Sequence, residues 1–127
     1  HTGELKVCDF GLARGVAEPQ DAHDLTMTAY VATRWYRPPE ILLSRHRYGK
    51  PLDIWSVGCI FAELLGRRIF LPGQTCFDQL TQIFQKLGSP TPAEIAAVPS
   101  ARSRQYLERL PQYPRRRLAD RFPDASA

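Results

Sequence analysis

The carboxylates, hydroxyls and guanidinium groups best suited to chemistry lie in the first half of the chain. Asp9-Phe10-Gly11 directly follows a short apolar-biased run, Leu5-Lys6-Val7-Cys8. Arg37-Pro38-Pro39-Glu40 closes 31 residues after Asp9, and Asp53-Ile54-Trp55-Ser56-Val57-Gly58 comes next. A carboxylate offers the hard oxygen that a small dication prefers. A hydroxyl among arginines is a candidate for phosphorylation, because guanidinium groups bind phosphate in a fork. Thr26, Thr28 and Tyr30 stand between Arg14 on one side and Arg34 and Arg37 on the other. The bland alternatives are an ordinary turn aspartate and an exposed loop with incidental hydroxyls. Asp-Phe-Gly alone is a weak signal, whereas the three groups in this order are very specific.

The elements that must position these groups follow from pattern. Leu5 to Cys8 reads as a strand ending at Asp9. Asp9 to Arg37 shows no sustained period and reads as a long ordered or switchable loop. Leu52 to Leu65 is apolar on nearly every side, which predicts a helix buried all round and stopped at Gly66. So short a chain can hardly surround such a helix, so the stretch reads as part of a bigger domain. Standing alone, it would expose large apolar faces. A second helix is predicted from about Thr75 to Leu87, with Phe77, Leu80, Phe84 and Leu87 at three- and four-residue spacing and Gly88 as the stop. Thr91-Pro92-Ala93-Glu94 carries the marks of a capped helix start, with a short helix through Val98. Another runs from about Ser100 to Leu110, and the Pro- and Arg-rich remainder reads as irregular.

Composition sets the outer bounds. Of the 127 residues, 43% are hydrophobic and 24% charged, which excludes long-range disorder. No apolar run is long enough for a transmembrane helix. Residues 1–10 show no secretory signal, and the lack of an initiator Met suggests a piece of a longer chain. The net charge is +4. Arg115-Arg116-Arg117 reads as a solvated face rather than a nucleic-acid site, since no aromatic platform accompanies it. No membrane contact is expected either. Cys8, Cys59 and Cys76 are odd in number and widely spaced, and His1, His23 and His46 fall at no metal-ligand spacing. They read as reduced, mostly buried thiols of a cytoplasmic and nuclear protein.

The ordered motifs closely resemble the C-lobe of a eukaryotic protein kinase. Thr28-Ala29-Tyr30-Val31-Ala32-Thr33-Arg34-Trp35-Tyr36-Arg37 is similar to the activation segment of the mitogen-activated protein kinases. Ile69-Phe70-Leu71-Pro72-Gly73, Asp78-Gln79-Leu80 and Leu87-Gly88-Ser89-Pro90 continue the resemblance, which covers roughly residues 4 to 124. It implies a mainly α fold. The expected architecture is a partial kinase C-lobe with a short strand, an activation segment over 9–40, a buried central helix over about 52–65, a following helix over about 76–87 and a family-type insert over about 88–120. The N-lobe is absent from this stretch.

The resemblance also implies roles. Asp9 would bind Mg²⁺ on the phosphates of ATP, with Cys8 beside it in the nucleotide site. Phe10 would pack and direct Asp9, and Gly11 would permit the backbone turn. Thr28 and Tyr30 are similar to the dual phosphorylation sites, with Arg34 and Arg37 for the phosphotyrosine and Arg14 for the phosphothreonine. Thr33 would hydrogen-bond the catalytic aspartate. Val31, Ala32, Arg34, Trp35 and Arg37 would form the wall for the residue after the phosphoacceptor, a proline in this family. Trp35 and Tyr36 read as packing residues of that wall. Glu40 would pair with an arginine beyond Ala127, and Asp53 would accept N–H bonds from the catalytic loop. Leu42, Cys76, Phe77, Leu80 and Tyr106 align with a docking pocket for aromatic motifs, and read equally well as plain core packing. Ala29 departs from the Glu, Gly, Pro or Asp of the family, and Pro38 replaces its usual Ala.

The implied activity is transfer of the ATP γ-phosphate to protein Ser-Pro and Thr-Pro sites. The implied partners are those substrates, an upstream dual-specificity MAP kinase kinase and phosphatases. No glycine-rich phosphate loop, strand lysine or His-Arg-Asp catalytic loop occurs in the 127 residues, and Lys6 stands too close to Asp9 to be that lysine. The fragment alone is therefore expected to be inactive. The rival reading is a truncated, non-catalytic decoy or pseudokinase fragment that binds the same partners.

Overall fold

The computed structural model describes residues 3–13, 33–43 and 49–125. These form helices joined by short irregular segments, with no strand among the described residues. Residues 3–9 run without regular structure, with Leu5 and Val7 exposed. The predicted strand at Leu5 to Cys8 is thus not formed. A strand exists only when a neighbour completes its ladder, and no described segment lies alongside this one.

Asp9 adopts a left-handed backbone (φ 62°) and leads into one 3-10 turn, Phe10–Leu12. Gly11 does not carry the turn as expected: the positive φ belongs to Asp9, a residue type that tolerates it. Phe10 is 69% exposed rather than packed. A second 3-10 turn, Arg34–Tyr36, leads to α1 (Pro39–Leu43). Pro38 is fully buried, and its carbonyl accepts the N–H groups of Ile41 (3.1 Å) and Leu42 (3.3 Å), opening α1. Proline there removes no helical donor.

Helix α2 spans Lys50–Gly66, with Pro51 in its first turn. It ends where Arg67 turns left-handed (φ 52°). Only Cys59 and Ala62 are buried along it, whereas Ile54 is 70% and Phe61 61% exposed. The all-round burial expected within a larger domain gives way to burial on one side, and the large apolar faces expected of the stretch standing alone are open: the described helices cover one face, and Ile54, Val57, Ile60, Phe61 and Leu64 have no cover.

Helix α3 (Cys76–Leu87) is the centre of the core. Thr75 caps it by accepting the Asp78 N–H (3.1 Å), and Asp78 in turn accepts the Gln74 N–H (2.8 Å). Leu80, Ile83 and Phe84 face Cys59, Ala62, Phe70, Leu71, Ile95 and Leu107 in one buried cluster. Gly88 ends α3 at φ 100°, and a Cβ there would lie 2.6 Å from Arg115 Cα. Only glycine meets both demands.

Helix α4 (Pro92–Ala96) begins with the predicted capping box. Glu94 accepts the Thr91 N–H (2.7 Å), while the Thr91 hydroxyl accepts the Glu94 N–H (3.3 Å). The Thr91 N–H, and then its hydroxyl (2.9 Å), both donate to the Glu94 carboxylate and lower its pKa. The helix stops two residues before the predicted Val98, which closes a final turn onto Ile95. Helix α5 (Ala101–Arg109) is capped by Ser100 and packs on α4. A four-residue α6 (Leu118–Arg121) lies in the stretch read as irregular, and Phe122 after it packs against Phe70 (6.2 Å between centroids). No helix among the described residues is long and apolar enough to cross a membrane.

Two substitutions separate the core from the open face of α2. In the 127-residue chain, Leu80→Ala is expected to lower unfolding free energy by about 2–5 kcal/mol, and Phe61→Ala by less than about 0.5 kcal/mol. Urea unfolding measures both, and equal losses would contradict the one-sided burial.

Candidate functional site

The best-fixed part of the expected site is the stretch from Thr33 to Arg37. Gln79, on the buried face of α3, is fully buried. Its Oε1 accepts the Gly73 N–H (2.9 Å), and its Nε2 donates to the Trp35 carbonyl (3.2 Å). The Trp35 indole N–H donates to the Gly73 carbonyl (3.0 Å). These bonds close a cycle through three residues. The Gly73 N–H is shared with the Leu71 carbonyl (2.9 Å). One side of the cycle offers Gln79 only a donor and the other only an acceptor, so a single orientation of its amide fits. A Cβ on Gly73 would stand 2.2 Å from Gln79 Oε1 and 2.6 Å from its Cα, so this approach requires glycine.

Helix α2 fastens the same stretch from the other side. The Ser56 hydroxyl lies 3.0 Å from the Tyr36 carbonyl and 3.2 Å from that of Leu52. The Tyr36 hydroxyl donates to Glu63 Oε2 (3.2 Å), and Glu63 Oε1 accepts the Phe70 N–H (3.1 Å). Burial, then the Glu63 charge, raises the Tyr36 pKa. The same two causes push the Cys59 thiol up to about 11. Cys59 is therefore an un-ionised core residue at neutral pH.

The other expected site residues are placed unevenly. Arg34 is exposed, and its Nη1 donates to the Gln74 carbonyl (2.9 Å), at the start of α3. Arg37 is half-buried and bonded. Thr33 is exposed and leads the 3-10 turn. Asp9 lies exposed in the N-terminal segment. Cys8 and Cys76 are exposed rather than buried, because the segments bearing them are not covered; Cys59 alone is buried. Glu40 and Asp53 are exposed on the first turns of α1 and α2. Arg14, Thr28, Tyr30, Val31 and Ala32, like Thr26 and Ala29, lie outside the described residues.

Of the five residues aligned with a docking pocket, Phe77 meets Tyr106, and Leu42, Leu80 and Tyr106 join the core cluster. The rings of Phe77 and Tyr106 meet at 4.8 Å and 52°. Leu80 is buried near them in the core cluster, and Leu42 packs against that cluster as α1 meets α3. The Ser103 hydroxyl donates to the Leu43 carbonyl (2.9 Å), tying α5 to α1. Burial raises the Tyr106 pKa. Phe77 is exposed, so one aromatic face remains open beside Cys76.

Gln79, Gly73, Ser56 and Glu63 were not among the expected site residues. One signal was available for Gln79: it interrupts the apolar stripe of α3, four residues before Ile83. A polar residue on a buried face must be paired. Its partners come from 44 and 6 residues away, which the pattern does not disclose.

The protein kinase domain model matches residues 1–118 of this chain. The chain belongs to the protein kinase family. It is 50% identical over 97% of its length to mitogen-activated protein kinase spm1 of Cytospora mali, covering 29% of that protein. It is 49% identical over 97% to mitogen-activated protein kinase mpkA of Aspergillus fumigatus, again covering 29%. The mitogen-activated protein kinase mpk-1 of Caenorhabditis elegans is 48% identical over 98% of this chain, which covers 28% of it. The chain thus spans under a third of the length of these relatives. The resemblance to mitogen-activated protein kinases and the mainly α, partial C-lobe fold are both borne out.

Thiol labelling checks the burial that holds this region. At about pH 8, iodoacetamide is expected to modify Cys8 and Cys76 and to spare Cys59 until the chain unfolds. Equal labelling of all three would contradict the packing of α2 on the core.

Proposed function

We propose that the chain is a segment of a proline-directed Ser/Thr protein kinase of the mitogen-activated type. That kinase transfers the ATP γ-phosphate to protein Ser-Pro and Thr-Pro sites. The observation that carries the reading is the fastening of Thr33 to Arg37 by Gln79, Ser56 and Glu63, in a chain about half identical to mitogen-activated protein kinases. A stretch held from two helices makes a rigid surface, which substrate positioning requires.

Phosphorylation of Thr28 and Tyr30 is the switch in this reading. Each phosphate brings nearly two negative charges and strong acceptors. Arg14, Arg34 and Arg37 are the groups to receive them, so modification orders the segment by charge pairing. The activating partner is a dual-specificity MAP kinase kinase, and phosphatases reverse the step. The cytoplasm and nucleus are the compartments we assign.

Mg²⁺ and ATP are the implied cofactors. Among the described residues no three His, Cys, Asp or Glu side chains gather as a metal cage. Magnesium on a nucleotide needs only one or two carboxylates beside phosphate oxygens and water, and the exposed Asp9 carboxylate fits that demand. The bound metal offsets charge on the phosphates. Asp9 holds and orients it, with Cys8 alongside the nucleotide. Thr33 orients the catalytic aspartate, Glu40 pairs with a later arginine, and Asp53 supports the catalytic loop. Phe77, Tyr106, Leu42, Cys76 and Leu80 form the recess for aromatic docking motifs. The 127 residues hold no glycine-rich loop or His-Arg-Asp motif, so the stretch alone is inactive in this reading.

In the full-length kinase, Asp9→Asn is expected to abolish phosphoryl transfer while leaving the circular dichroism spectrum unchanged. An active Asn variant would remove the metal role. The double variant Thr28→Ala/Tyr30→Phe is expected to lose the activation that the upstream kinase gives the wild type. A response equal to wild type would refute the switch.

A further inference from the structure

The end of α2, the last turn of α3 and the end of α6 meet around a cavity of about 420 Å³, within the size range of small-ligand sites. Four cations line it: Arg67, Arg68, Lys86 and Arg121. Asp124 is the one carboxylate among the lining residues, so positive charge is in excess there. Among the described residues none of the four cations stands in an ion pair; the pairs are Lys6 with Glu4 and Arg117 with Asp120.

Two of the cations are fixed against the same aromatic ring. The Lys86 Nζ donates to the Phe70 carbonyl and lies 5.0 Å from the centre of the Phe70 ring. The Arg121 guanidinium lies 5.8 Å from that centre. Both distances are within cation–π range. Phe70 is buried, so its ring serves the two cations and offers no open face to a stacked base. Burial, then the charges of Arg121 and Arg68, lower the Lys86 pKa. An anion in the cavity reverses this repulsion, and guanidinium groups grip phosphate oxygens in a fork.

Arg67 is an independent mark of the same chemistry. It ends α2 with a left-handed backbone (φ 52°), a position that favours glycine. An arginine there costs stability, and ending the helix does not require its side chain. Helix C-termini favour a nearby cation, which suits Arg67, Lys86 and Arg121 one at a time. That preference does not account for their convergence with Arg68 on one cavity.

We propose that this cavity binds a small ligand bearing two or more phosphate groups and no base, held by Arg67, Arg68, Lys86 and Arg121. Soluble polyol phosphates and lipid headgroups share this chemistry. Binding here is separate from phosphoryl transfer, so its failure leaves the kinase reading untouched.

The test titrates the full-length protein with inositol trisphosphate by calorimetry. Wild type is expected to bind it one to one. Lys86→Gln and Arg121→Gln are each expected to weaken binding about tenfold, the scale of one charge-assisted hydrogen bond. Arg67→Gly is expected to weaken it similarly while raising Tm, because it relieves the left-handed backbone. A residue kept for the fold alone would not show that split. Arg116→Gln, outside the cavity, should leave the affinity unchanged. Sedimentation with phosphatidylcholine vesicles carrying phosphatidylinositol bisphosphate separates the two sources. Co-sedimentation that Arg67→Gly abolishes assigns the lipid headgroup, and trisphosphate binding without co-sedimentation assigns the soluble ligand. No binding at millimolar trisphosphate would overturn the proposal. So would an affinity that none of the cavity variants changes, or a loss in Arg116→Gln equal to theirs.

Discussion

The structure depends on one buried amide. Gln79 sits among Leu80, Ile83 and Phe84, where an unpaired polar group is costly. It is tolerated because it ties the segment before α1 to the turn before α3. Remove the tie and Trp35 and Gly73 are linked only through the indole. Glu63 makes a second joint of the same kind, joining the Tyr36 hydroxyl to the Phe70 backbone from α2. Both joints use one side chain to bridge two segments that are far apart in sequence. The segment preceding α1 is thereby rigid at its C-terminal end, where a chain of 3-10 turns and coil would otherwise be loose.

That rigidity gives the proposed switch a fixed end. A loop ordered by phosphate and guanidinium pairs needs something firm to be ordered against. Arg34 and Arg37 belong to the firm part, and Arg34 is already drawn to the Gln74 carbonyl. In the proposed mechanism, the phosphorylated hydroxyls would dock onto a frame that α2 and α3 hold in place.

How much of this was legible in the sequence differed by range. The helix starts at Thr75, Thr91 and Ser100 rest on bonds within three residues, so residue type and spacing were enough to place them. The order of the Asp-Phe-Gly, Pro-Glu and Asp-x-Trp-Ser-x-Gly groups disclosed the family for the same reason. The open faces of α2 were legible from its all-round apolar pattern in so short a chain, whereas the exposure of the N-terminal run was not. The apolar faces of α2 and the run from Leu5 to Val7 are buried or paired only if other chain covers them, and the described segments do not. Phe10 and Cys8 were misjudged for that reason. Phe77 meets Tyr106 across α3 and α5, a contact that fits plain core packing as well as a docking recess. The Gln79 cycle needed contacts over 44 residues, and only the polar break in the stripe hinted at it.

The most direct measurement is hydrogen exchange of the Trp35 indole N–H and the Gly73 amide in the folded, full-length kinase, followed by NMR. Both protons should exchange as slowly as the core amides of Ile83 and Phe84, because opening the cycle requires moving α3. Exchange at the rate of an exposed loop would show that Gln79 does not hold this segment, and would contradict the account at its base.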